Sequence, residues 1–212
     1  MKPRRAGPLL HAIGSVVLRY PDRDVVAARP RVAALGELLP DAPASASLRR
    51  FLGWWRDAPP TELTERYVAT FDLGKRTSLY LTWYLHGDRR QRGQEFVRLK
   101  RMYEAAGRRL TGRELPDFLP LVLEFAAVEP EAGASVLAEL QVGLELLRAA
   151  LHDADSVYAP AVDAIAGDLA PLDEHGWAVV RRIAAEGPPG EQVGLEPFGP
   201  PEVMPAVEGA AR

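Results

Sequence analysis

The sequence predicts an all-α fold, and three observations carry that expectation. Apolar residues recur at three- and four-residue steps through most of the chain, as one face of a helix requires. No run alternates with period two, and no Asn-Gly or Asp-Gly turn joins two apolar segments. Proline and glycine then cut the pattern into about ten pieces. The expected architecture is one helical domain over residues 1–186 and an extended Pro/Gly-rich tail over 187–212. With 47% hydrophobic residues the chain has the means to bury a substantial core.

Taken in order, Pro8-Leu9-Leu10-His11-Ala12-Ile13-Gly14-Ser15-Val16-Val17-Leu18 follows Lys2, Arg4 and Arg5 in the manner of a secretory leader. His11 interrupts the apolar run and Arg19 closes it without a small-x-small site, so a first core helix is expected instead. Pro21-Asp22 is a break, Pro30 splits the next segment into two short helices, and Pro40 to Pro43 is another break. Leu48, Phe51, Leu52 and Trp55 form one stripe, and Leu63, Tyr67 and Phe71 the next, with Thr61 as its N-cap. Gly74 closes that helix in the left-handed conformation. Ser78 to Leu85, carrying Tyr80, Trp83 and Tyr84, is apolar on nearly every face and reads as a central helix whose rings either pack the core or line a groove.

Phe96, Leu99, Tyr103 and Ala106 mark a helix ended by Gly107. In Thr111 to Leu119, Thr111 and Glu114 have capping-box spacing, Pro116 suits a first helical turn, and Asp117 favours a helix N-terminus. Capping accounts for each of these residues singly. A charged corner opening directly onto Leu119 to Phe125 also suits holding another protein. Leu137, Leu140, Leu144, Leu147 and Leu151 draw one long stripe, and breaks fall at Glu129-Pro130, Asp153 to Ser156 and Pro171 to Asp173. The tail holds 11 Gly or Pro in 26 residues, with Val193, Leu195 and Phe198 as its apolar anchors.

Sites of chemistry are not evident. His11, His86, His152 and His175 lack metal-ligand spacing and read as surface or helix-end residues. Gly74-Lys75-Arg76-Thr77 resembles the end of a phosphate loop, but Ala69 stands where its first glycine belongs. There is no cysteine, hence neither disulfide nor thiolate metal site, which fits a reducing compartment. We expect no enzymatic activity. The net charge of −3 provides no global attraction for nucleic acid. An alternative reading takes the basic run Arg89, Arg90, Arg92, Arg98, Lys100 and Arg101 as the helix of a nucleic-acid-binding regulator, against a solvated face interspersed with Asp88, Glu95 and Glu104.

Two segments together resemble the TorD/NarJ family of redox-enzyme maturation chaperones, and its NarJ branch in particular. One runs from Tyr67-Val68-Ala69-Thr70-Phe71-Asp72 through Ser78-Leu79-Tyr80-Leu81 to Asp88-Arg89-Arg90-Gln91-Arg92-Gly93 and Tyr103. The other is Glu114-Leu115-Pro116-Asp117-Phe118-Leu119 followed by Leu123-Glu124-Phe125. Phe118 stands where the TorD branch tends to have histidine, in agreement with NarJ-like proteins.

The resemblance implies a dedicated cytoplasmic chaperone without a cofactor of its own. Its client would be the apo catalytic (alpha) subunit of a respiratory nitrate reductase, held through its N-terminal segment for molybdenum cofactor insertion before membrane attachment. Molybdenum cofactor delivery proteins are further implied partners; nucleic acid and membrane insertion are not. An amphipathic client helix needs an apolar groove with a polar rim. The expected peptide-binding residues are Tyr67, Phe71, Tyr80, Trp83, Tyr84, Glu114, Pro116, Asp117, Phe118 and Leu119, with Glu114 and Asp117 meeting basic client residues. The tail anchors are expected to cover the groove when no client is bound.

Overall fold

The computed structural model describes residues 7–187 except 75, 88 and 89. The expected tail anchors Val193, Leu195 and Phe198 lie outside the described residues, as do Lys2, Arg4, Arg5, Asp88 and Arg89. Among the described residues there are eleven α-helices, one π-turn and no strand. The helices are α1 (Gly7–Val17), α2 (Arg23–Gly36), α3 (Pro43–Asp57), α4 (Pro60–Tyr67), α5 (Trp83–His86), α6 (Arg90–Ala105), α7 (Leu119–Val128), α8 (Pro130–Glu139), α9 (Gln141–Asp153), α10 (Ala159–Asp168) and α11 (Glu174–Glu186). None is long and apolar enough to cross a membrane.

Helix α1 lies at the centre, packed against α2, α7 and α10, while α3 covers α10 and α11 covers α9. The predicted stripes are buried: Leu10, Ile13 and Val17 from α1, Leu48, Phe51, Leu52 and Trp55 from α3, Leu99 and Tyr103 from α6. They belong to one continuous core. Such burial stabilises by about 1.5–3 kcal/mol per large apolar side chain. His11 also faces this core, contrary to the surface reading, with its Nε2 3.6 Å from the Asp168 carboxylate.

Several elements differ from the sequence reading. Pro30 does not divide α2, which runs through it. The lost backbone bond is offset by tertiary contacts: Val25 and Val32 are buried, and the Arg29 guanidinium donates to the carbonyls of Arg56 and Ala58, closing the C-terminus of α3. Pro59, not Thr61, precedes the first turn of α4. Gly74 does not have positive φ; a side chain there would collide with the Thr70 carbonyl and the Thr77 hydroxyl. The long leucine stripe is shared between α8 and α9, with Leu140 at the joint.

The largest departure concerns Ser78 to Thr82, which is non-helical through Tyr80 and turns at Leu81 and Thr82; only Trp83–His86 forms a turn of helix. This segment pairs with residues 117–119. Leu81 N–H donates to Asp117 O at 3.1 Å and Leu119 N–H to Leu79 O at 2.8 Å, making an antiparallel bridge of Tyr80 with Phe118. Local apolarity favours a buried helix, but backbone pairing satisfies the same polar groups without one.

Candidate functional site

The bridge places two non-helical stretches side by side beneath an open groove of about 500 Å³. One end is formed by Arg19, Tyr20 and Asp22, following α1. Tyr67, Phe71 and Asp72 provide one wall, and Ser78, Leu79, Tyr80, Glu114, Phe118 and Leu121 the other. The wall from Tyr67 depends on a local irregularity. Helix α4 passes into a π-turn, Val68–Asp72, whose wider winding brings Phe71 and Asp72 into the lining.

The groove is floored by aromatic rings. Tyr20 meets Tyr67 edge to face at 5.5 Å, Tyr67 lies 4.9 Å from Phe71, and Tyr80 lies 5.1 Å from Phe118. Tyr67 is buried and its hydroxyl donates to the Leu18 carbonyl at 3.4 Å, which makes it the rear of the cavity. Burial, together with the charges of Asp72 and other nearby groups, holds its phenol far above the ordinary range. Tyr80 donates to Glu114 at 2.9 Å, and its phenol is pushed up to about 12 by desolvation first and by that bond second. Tyr20 is 48% exposed, and Leu73 and Leu115, next to Asp72 and Glu114 in sequence, are exposed at 74% and 37%. A ring-lined groove with polar and acidic side chains in its lining thus has exposed apolar residues beside it in sequence.

Of the ten residues expected here, the structure brings together Tyr67, Phe71, Tyr80, Glu114 and Phe118. Trp83 and Tyr84 instead line a separate small cavity with Leu146, Ala150 and Ile183, because the chain turns into α5 after Thr82. The Tyr84 hydroxyl lies 2.8 Å from the Arg76 carbonyl and 3.0 Å from that of Ser78. Pro116 is buried, and its carbonyl accepts from the Tyr103 hydroxyl at 2.9 Å. Leu119 is fully buried.

Asp117 requires a larger correction. It does not cap a helix, and its side chain is closed off from solvent: α7 begins two residues later, and Asp117 is 0% exposed. Its Oδ2 accepts from Thr82 N–H at 3.1 Å and Thr82 Oγ1 at 2.6 Å, with Arg92 Nη2 at 3.5 Å. Arg92 Nε also donates to Thr82 Oγ1 at 3.2 Å. This buried network ties α6 and the segment before α7 to the turn at Thr82, and so holds the groove wall in place. The Thr111–Glu114 capping box is likewise absent; Glu114 engages Tyr80 instead.

The same geometry weakens the nucleic-acid alternative. Arg92 points inward, its side chain only 14% exposed, and Arg98 pairs with Glu139 and Glu95. The described part of the basic run therefore offers no continuous positive face. Arg19, Tyr20, Asp22, Asp72, Ser78, Leu79 and Leu121 also line the groove and are not among the residues expected from the sequence. Asp72 had a signal, since it ends the Thr-Phe-Asp motif.

The all-helical fold has a counterpart among solved structures. A crystal structure from Archaeoglobus fulgidus, described as a candidate protein of that kind, superposes with a TM-score of 0.58 at 18% identity, covering 76% of this chain and 91% of its own. Residues 38–164 match the family described as nitrate reductase delta subunit, and the chain belongs to that family. A probable nitrate reductase molybdenum cofactor assembly chaperone, NarJ of Bacillus subtilis, is 40% identical over 68% of this chain and 79% of its own length. NarJ of Escherichia coli K12, a nitrate reductase molybdenum cofactor assembly chaperone, is 37% identical over 71% of this chain and 65% of its own. The nitrate reductase-like protein NarX of Mycobacterium tuberculosis is 40% identical over 78% of this chain, which spans 25% of that longer protein.

Proposed function

We propose that this protein is a cytoplasmic assembly chaperone that holds the N-terminal segment of the apo catalytic subunit of a nitrate reductase in the Tyr67–Phe118 groove. It keeps that subunit competent for molybdenum cofactor insertion and delays its membrane attachment, without catalysis of its own. The observation that carries the reading is an open aromatic groove with exposed apolar residues at its border, in a chain 40% identical to an assembly chaperone. Such a surface suits an amphipathic helix whose anchors recur at i, i+3, i+4 and i+7. Large rigid rings at its centre would account for most of the affinity.

Titration calorimetry with a synthetic peptide of the client's N-terminus tests this. Tyr20→Ala and Phe118→Ala are expected to weaken binding by about 30-fold each, from losing about 2 kcal/mol of anchor contact. Absence of binding to the unmodified protein, or unchanged affinity in both variants, refutes it.

A further inference from the structure

Resting on that peptide-binding reading, we propose that the groove selects its client by one cationic side chain, an arginine or lysine, held by Asp72 and Glu114 against the rings of Tyr67, Phe71 and Tyr80. Four charged residues line the groove: Arg19, Asp22, Asp72 and Glu114. Arg19 is neutralised by Glu124, 2.6 Å away. The Asp22 Oδ1 is engaged by the Asp24 and Val25 N–H groups as the cap of α2. Arg92 lies 5.9 Å from the centre of the Tyr80 ring but is paired with the buried Asp117. Asp72 and Glu114 therefore carry uncompensated charge beside the rings, and among the described residues no cation pairs with either.

Their placement distinguishes them from an ordinary solvated acidic surface. Asp72 arrives through the π-turn and Glu114 from the segment before α7, yet both bear electrostatically on the Tyr67 phenol. Both stand beside aromatic rings, whose faces attract cations. A purely apolar anchor would strip water from these carboxylates without giving them a partner. A guanidinium or ammonium satisfies acids and rings together, and its alkyl stem still covers apolar surface.

The test uses a synthetic amphipathic helical peptide with Leu and Phe anchors at i, i+3, i+4 and i+7 and one guest position, moved in turn to each site flanking the anchors. The guest is arginine, lysine or citrulline, the last matching arginine in shape without its charge. At one guest site arginine is expected to bind about tenfold tighter than citrulline, equivalent to about 1.4 kcal/mol. In Asp72→Asn that ratio should fall to about threefold, because Glu114 remains and arginine loses more than citrulline; an unchanged ratio overturns the role of Asp72. Asp72 is exposed, so the melting temperature should hold and serves as the control on folding. Equal binding of arginine and citrulline at every position overturns the cationic anchor and leaves the groove reading standing. Failure of every peptide to bind removes both.

Discussion

Replacing Asp117 by alanine separates a residue that builds the groove from one that touches a client. The carboxylate is 0% exposed and its Oδ2 faces two donors of Thr82 at 3.1 and 2.6 Å and Arg92 Nη2 at 3.5 Å. Removing one member of a buried charged pair costs about 3–5 kcal/mol, because the remaining charge and donors lose their compensation. Arg92 retains 14% exposure and partial access to water, which favours the lower part of that range. At about 2–4 °C per kcal/mol for a domain of this size, the melting temperature should fall by about 10 °C. Asp117→Asn keeps an oxygen for Thr82 and loses only the charge, so a smaller cost of about 1–2 kcal/mol is expected. Thermal unfolding followed by far-ultraviolet circular dichroism measures both. Peptide titration well below the melting temperature then isolates binding. If Asp117→Ala melts within about 2 °C of the parent while peptide affinity collapses, the structural assignment is refuted and Asp117 returns to the client interface.

Two further substitutions probe the body that supports the site. Burial lowers the His11 pKa below its ordinary value of 6.5, against the opposing pull of Asp168. The folded state then binds fewer protons than the unfolded chain, so this contribution to stability is complete above pH 6.5 and declines below it, down to the folded pKa. His11→Leu should flatten the corresponding part of the melting-temperature profile between neutral and mildly acidic pH; a parallel profile contradicts this. Gly143 of α9 lies against the turn at Leu81, and a Cβ there would meet the Leu81 carbonyl oxygen at 2.2 Å. Gly143→Ala should therefore destabilise by about 1–3 kcal/mol in chemical denaturation and weaken peptide binding, whereas a neutral effect would mean that α9 does not fix Leu81.

How far the sequence predicted this structure depended on the range of the interaction involved. Stripes such as Leu48-Phe51-Leu52-Trp55 identified their helix and its buried face, since helical periodicity is local. Tyr67, Phe71, Tyr80, Glu114 and Phe118 could be nominated together from motif order, and the groove does gather them. Trp83 and Tyr84 could not be separated from Tyr80 by composition, because the division is made by a bridge to Phe118 that is distant in sequence. Asp117 misled for the same reason: its spacing from an apolar helix imitates a cap, while its partners, Thr82 and Arg92, are recognisable only in space. Pro30 and Gly74 show the limit of local rules where tertiary contacts decide the backbone.

The groove draws its lining from residues 19–22, 67–80 and 114–121, and the α1–α7 contact joins the first of these regions to the last. During synthesis, a chain that has emerged only as far as α6 lacks Glu114, Phe118 and Leu121 of the lining. The groove is thus complete only once the chain through the start of α7 has been made. A fragment ending before that helix lacks the Leu119 N–H that bonds Leu79 and the Leu121 side chain of the lining, so the bridge beneath the groove is left half made.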